Sequence, residues 1–91
     1  MTDRVTDNSA KSRYELDIDG HVAFANYRRV GSTLYLPHVE APPQLRGTGA
    51  AGRLMQGVME TARAEGLKVV PTCSYASSWL HRHKEYHDLL G

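Results

Sequence analysis

From Arg13 the chain alternates: Tyr14, Leu16 and Ile18 are apolar, and Glu15, Asp17 and Asp19 between them are charged. A period of two puts one set of side chains on each face of a strand, so a half-buried strand is predicted here. Asp19-Gly20 follows, a pair suited to the positive φ angles of a tight hairpin turn. His21 to Val30 carries Val22, Phe24 and Ala25 into a second strand that ends at Gly31-Ser32, and Thr33 to Glu40 forms a third. Pro42-Pro43 then closes this antiparallel meander, because proline has no N–H for a ladder.

The period changes after the prolines. Between Gly49 and Gly66 the apolar positions are Ala51, Leu54, Met55, Val58, Met59 and Ala62, a three-to-four spacing over more than three turns. This predicts an amphipathic helix packed through its Met and Leu stripe, with Gly66 as terminator. Leu67 to Cys73 reads as a short strand and Ala76 to Tyr86 as a last helix. The expected order is β-β-β-α-β-α, an α+β (α/β) domain over residues 13–91 with a largely antiparallel sheet. Residues 1–12 are polar, with Val5 the only sizeable apolar side chain after Met1, and are expected to form a flexible N-terminal tail.

Ninety-one residues allow a single domain, and 41% hydrophobic with 23% charged residues is ordinary for a globular chain. A net charge of +1 gives no electrostatic argument for nucleic acid. No apolar run approaches the ~18 residues of a membrane span, and the N-terminus lacks a signal-peptide core. One cysteine, Cys73, excludes an internal disulfide and suits a reducing compartment. The expected location is the cytoplasm.

Within Pro42–Met55 the sequence contains GTGAAG, a G-x-G-x-x-G. The dinucleotide reading of that pattern needs a preceding strand in a βαβ unit and an acidic residue roughly 20 positions on. Here an antiparallel strand cut off by two prolines precedes it, and Leu67–Cys73 holds no Asp or Glu. No Gly-Lys-Ser/Thr follows either, so a Walker loop is excluded. An anion site remains open, since Gly47 and Gly49 present N–H groups at a helix start and Arg46 and Arg53 flank the turn. The alternative is a tight strand-to-helix turn with no ligand. The third glycine, Gly52, is expected to be incidental to either role.

Gln44-Leu45-Arg46-Gly47-Thr48-Gly49-Ala50 fits the Q/R-x-x-G-x-G/A signature of the Gcn5-related N-acetyltransferases (GNAT). With HVEAPPQLRGTGAAGRLM and GLKVVPTCSYASSWLHRHKEY, the chain from Tyr14 to Tyr86 resembles the small single-domain, YjdJ-type members of that family. The resemblance implies a minimal GNAT fold whose strands Thr33–Glu40 and Leu67–Cys73 splay apart at the cofactor. It implies an N-acetyltransferase that moves acetyl from acetyl-coenzyme A to an exposed amine of a protein, peptide or polyamine. A non-catalytic coenzyme A-binding module is the alternative. Cofactor contacts are implied for Val39, Gln44, Arg46, Gly47, Thr48, Gly49, Ala50, Ala51 and His81. His81 takes the place of a tyrosine acid in larger members, with Tyr75 and Tyr86 as neighbours. Two departures stand out: Ser74 and Lys84 replace prolines of the family pattern, and the elements that wall the acceptor in longer members are missing.

Amine acetylation needs a base for the protonated nucleophile. His38 and Glu40 would share one strand face if the pleat is regular, giving a carboxylate-oriented imidazole; otherwise they are two polar residues at a strand end. Cys73 is either a nucleophile near the thioester or an inert filler. His83 and His87 would share a helix face but lack further ligands, so no metal is expected.

Overall fold

The computed structural model describes residues 4–91. Five strands form one sheet in the order β1-β2-β3-β4-β5: Thr6–Asn8, Arg13–Ile18, His21–Val30, Thr33–Glu40 and Lys68–Pro71. The first four pair antiparallel and β5 runs parallel to β4. Two helices complete the fold, α1 over Ala50–Ala64 and α2 over Ser74–Arg82.

The predicted hairpin is present. Asp19 (φ 53°) and Gly20 (φ 82°) both adopt positive φ, and the Gly20 N–H donates to Asp17 Oδ1 at 2.9 Å. Buried positions alternate along the strands, with Tyr14, Leu16, Ala23, Ala25, Leu34, Leu36 and Val69 on the face that meets the helices. The opposite face, from Arg13 and Glu15 through Phe24 and Asn26 to Tyr35, holds no buried residue. Leu54, Met55, Val58, Met59 and Ala62 fill the facing stripe of α1, as their spacing requires. Each such Leu, Met or Val side chain contributes on the order of 1.5–3 kcal/mol through burial. Gly66 (φ 69°) ends α1 in a Schellman motif, its N–H donating to Arg63 O and that of Leu67 to Ala62 O.

Two expectations are corrected. Residues 6–8 are not a loose tail but an edge strand, paired Thr6↔Glu15 to Asn8↔Arg13; residues 1–3 of the expected tail lie outside the described part. Polar composition conceals two tertiary contacts: Tyr27 Oη donates to Asp7 Oδ1 at 2.7 Å, and Val5 packs against the core. The last helix begins and stops earlier than its apolar spacing suggests, and residues Lys84–Leu89 form a 3-10 turn instead. The helix ends at His83, which leaves helical geometry (φ −107°, ψ 79°) while its backbone N–H still donates to Trp79 O at 3.1 Å and its Nδ1 lies 2.7 Å from the same oxygen. Arg63 then holds the 3-10 segment through Glu85 O at 2.9 Å and Asp88 Oδ2 at 3.0 Å.

Gly57, inside α1, is the seat of Val5: a Cβ there would lie 2.8 Å from Val5 Cβ. Gly57→Ala therefore lowers the melting temperature, although alanine gains about 1 kcal/mol of helix propensity. It also speeds amide exchange at residues 6–8. A higher melting temperature with unchanged exchange would show that Val5 does not sit there.

Candidate functional site

Three pieces of backbone meet where β4 ends. The first is the opening in the sheet. β4 and β5 stay paired from Thr33↔Lys68 to Leu36↔Pro71. The N–H groups of Thr72 and Cys73 then both donate to Leu36 O, at 3.1 and 3.0 Å, and β5 leaves the sheet to start α2. β4 continues through Pro37–Glu40 along β3 alone, so its other edge is left without a strand among the described residues. Pro71 cannot extend the ladder, which reinforces the parting.

The second piece is the end of β4. Arg28↔Tyr35 and Asn26↔His38 leave Tyr27 opposite both Leu36 and Pro37, a β-bulge. It falls before His38, so His38 and Glu40 keep regular alternation. Both project from the uncovered sheet face, with Nε2 and Oε1 3.1 Å apart and both side chains about half exposed. The Phe24 ring lies 6.1 Å from His38 on that face. Val39 points the other way, partly buried opposite Ala25.

The third piece is the glycine turn. Pro43–Leu45 is a 3-10 turn pinned by buried Leu45. Gly47 (φ 81°) and Gly49 (φ 77°) are left-handed, and nothing lies within 4 Å of a Cβ built at either. Backbone conformation requires these glycines, and the space before them is open to a ligand. Thr48 Oγ1 donates to Leu45 O and accepts from Ala50 N–H, bracing the turn as Gly49 caps α1. Gln44, Arg46 and Thr48 are exposed here, the Ala51 side chain is partly buried, and that of Ala50 belongs to the core. The turn thus sets the positive end of a fifteen-residue helix beside Arg46.

Cys73 is a free, partly buried thiol at the N-cap of α2, on the far lip of the opening. His81 lies elsewhere, in a cavity of about 230 Å³ with Pro71, Ser77, Leu80, His87 and the C-terminal Leu90–Gly91. Neither helix among the described residues is long and apolar enough to cross a membrane, and the described residues hold no metal-ligand cluster. The expected His83/His87 face does not form. His87 Nε2 lies 2.9 Å from Leu80 O and His83 is engaged at Trp79 O.

The family model for GCN5-related N-acetyl-transferases matches residues 13–89. The chain belongs to the GCN5-related N-acetyltransferase family. It is also similar in structure to a GCN5-like protein from Staphylococcus aureus determined by NMR in solution, with a TM-score of 0.74 at 24% identity. That match covers 99% of this chain and 89% of the other, and it supports the α+β fold with a mixed sheet. Family membership makes the protein an N-acetyltransferase of the acyl-coenzyme A-dependent kind. The residues present fit such a donor: a braced turn with glycine at 47 and 49 at a helix N-terminus adjoins a strand edge that is unpaired among the described residues.

One part of the surface escaped the sequence reading. A cleft of about 370 Å³ runs from Gly49, Gly52 and Arg53 on α1 to Trp79, His83, Glu85 and Tyr86. Gly52 is not incidental here. A Cβ on it would lie 3.3 Å from Trp79 Nε1, so glycine admits the indole against α1. The i, i+4 spacing of Trp79 and His83 was the available signal; their rings stack at 3.7 Å and 11°.

Tyr86, in the cleft wall, has its pKa pushed up to about 12 by burial and by the hydrogen bond it donates to Glu60. Tyr14 and Tyr27 rise to about 12 too, by burial first and then the nearby Asp7. The folded state holds these protons more tightly than the unfolded chain, so their contribution is intact below pH 10. It is lost as pH rises from 10 through about 12. Absorbance titration of tyrosinate is expected to show a late component near pH 12 together with falling stability. Complete ionisation by pH 10.5 in the folded protein would contradict the placement of these rings.

Proposed function

We propose that the protein transfers acetyl from acetyl-coenzyme A to an exposed amine of a protein, peptide or polyamine. The observation that carries this reading is the junction of the Gly47–Gly49 turn, the unpaired edge of β4 and the His38–Glu40 pair at 3.1 Å. Acetyl-coenzyme A supplies an activated thioester. Toward it, the N–H groups of the turn and the positive end of α1 attract the pyrophosphate, and Arg46 adds a cation. Gln44 and Thr48 border the same turn. The edge of Val39 offers backbone groups to an extended arm, as a neighbouring strand would.

His38 is the base. Its Nε2 faces Glu40, which orients the imidazole and stabilises the cation formed when a proton is taken from the amine. The pair projects from the uncovered sheet face, and this favours a large or extended acceptor over a small molecule that needs enclosing walls. Cys73, at the other lip, is the second catalytic group. Its position supports contact with the thioester, from which the acetyl group passes to the amine as the thiolate leaves.

The alternative, a coenzyme A-binding module without turnover, draws on the half exposure of His38 and Glu40. Labelled acetyl-coenzyme A with a panel of peptides and polyamines separates the two. His38→Ala lowers kcat/KM by about 10²–10⁴-fold, the range for a lost general base, with coenzyme A affinity nearly unchanged. Glu40→Gln has a smaller effect in the same direction, and Cys73→Ala lowers kcat. Full activity in His38→Ala would remove it as the base. Tight coenzyme A binding with no turnover on any acceptor would select the binding module.

A further inference from the structure

On the uncovered face of the sheet, two neighbouring rows of side chains cross β2, β3 and β4. One is Glu15–Phe24–Glu40 and the next is Arg13–Asn26–His38. Both outer side chains of the second row are drawn toward the first. Arg13 Nε donates to Glu15 Oε2 at 2.6 Å, and its guanidinium lies 4.5 Å from the centre of the Phe24 ring. His38 Nε2 lies 3.1 Å from Glu40 Oε1, and its ring is 6.1 Å from that of Phe24. Asn26, partly buried between them, is left with no hydrogen bond to its side-chain amide among the described residues. The amide is open to solvent. A carboxylate accepts and does not donate, so the contact with Glu40 places the ring proton on Nε2 and leaves the His38 lone pair on Nδ1. Asn26 and His38 are direct cross-strand partners, and such pairs hold their Cβ atoms about 4.5–5.5 Å apart. One nitrogen atom of a substrate can therefore be reached by both side chains at hydrogen-bond distance.

We propose that Asn26 orients the acceptor amine at His38: its Oδ1 accepts one N–H of an incoming primary ammonium group while His38 Nδ1 takes a second proton. The inference rests on the reading of His38 as the base, and it adds to the site an acceptor-binding residue on β3. The ammonium gives one proton to Nδ1, and the imidazolium formed keeps its Nε2–H on Glu40. The neutral amine retains two N–H bonds, one of them held by Asn26. When the C–N bond to the acetyl group forms and the C–S bond breaks, the other of those protons passes to the departing thiolate. The product amide keeps the N–H that Asn26 holds.

Two substitutions separate this role from a structural one, with Nα-acetyl-lysine amide and spermidine as the primary amines and melting curves recorded alongside. Asn26→Leu, close in size but without the accepting oxygen, lowers kcat/KM for the amine about 10- to 100-fold, the scale of a lost hydrogen bond to a charged group. Coenzyme A affinity stays unchanged. Asn26→Asp restores an accepting oxygen and keeps activity within severalfold of the original chain. Stability does not follow this order, because aspartate is a poor strand former, so a structural role would not favour Asp over Leu. Independently of turnover, the Asn26 side-chain NH2 resonances are expected to shift on titration with Nα-acetyl-lysine amide in the absence of any acetyl donor. Unmoved resonances at saturating amine, or an equal loss of activity in both variants, would overturn the proposal. If the original chain acetylates an amine and Asn26→Leu does so equally well, the role of Asn26 falls and the acetyl-transfer reading stands. If the original chain acetylates neither amine, both fall.

Discussion

One carbonyl sets the architecture of the functional end. Leu36 O accepts the N–H groups of both Thr72 and Cys73, and no further residue of β5 pairs with β4. A parallel ladder would otherwise have continued along Pro37–Glu40 and closed that edge. Because it stops, β5 turns at once into α2, Cys73 becomes the N-cap, and one edge of β4 beside the glycine turn has no partner strand among the described residues. Exposed polar backbone at a strand edge is a ready template for another extended chain. Here it adjoins a helix N-terminus that favours anions, so one ligand with a phosphate end and an amide-bearing arm suits both.

The rest of the fold holds this junction still. Leu34 and Leu36 are buried against the helices, so the last paired residues of β4 are fixed by packing. The bulge at Leu36–Pro37 lets Tyr27 stay in register with the core face while His38 and Glu40 turn outward together. At the other end of α1, Arg63, Glu60 and the residues around Tyr86 tie the C-terminal segment back to the helix. That tie fixes the aromatic wall of the cleft relative to the glycine turn.

Most of the fold was legible because its signals are local. The alternation at Tyr14–Asp19, the Asp19-Gly20 pair and the stripe from Ala51 to Ala62 each depend on a few neighbouring residues. The Q-x-x-G-x-G stretch was equally legible, because only glycine readily takes the positive φ found at 47 and 49. What escaped was tertiary. Val5 and Asp7 look like tail residues until Gly57 and Tyr27 are placed opposite them. Gly52 looks incidental until Trp79 arrives from a helix more than twenty positions away. The end of α2 was missed because His83 leaves helical geometry and the segment after it is held by a tertiary partner, Arg63 of α1, that the local pattern does not show.

The central claim is that the glycine turn and the parted strands form one coenzyme A site, and amide chemical-shift titration with coenzyme A tests it most directly. The account predicts saturable shifts grouped at Gln44–Arg53, at His38–Glu40 and at Thr72–Cys73, with the distant hairpin at Asp19-Gly20 unmoved. Absence of saturable shifts at millimolar coenzyme A, or shifts that leave the turn and the β4 edge untouched, would contradict it.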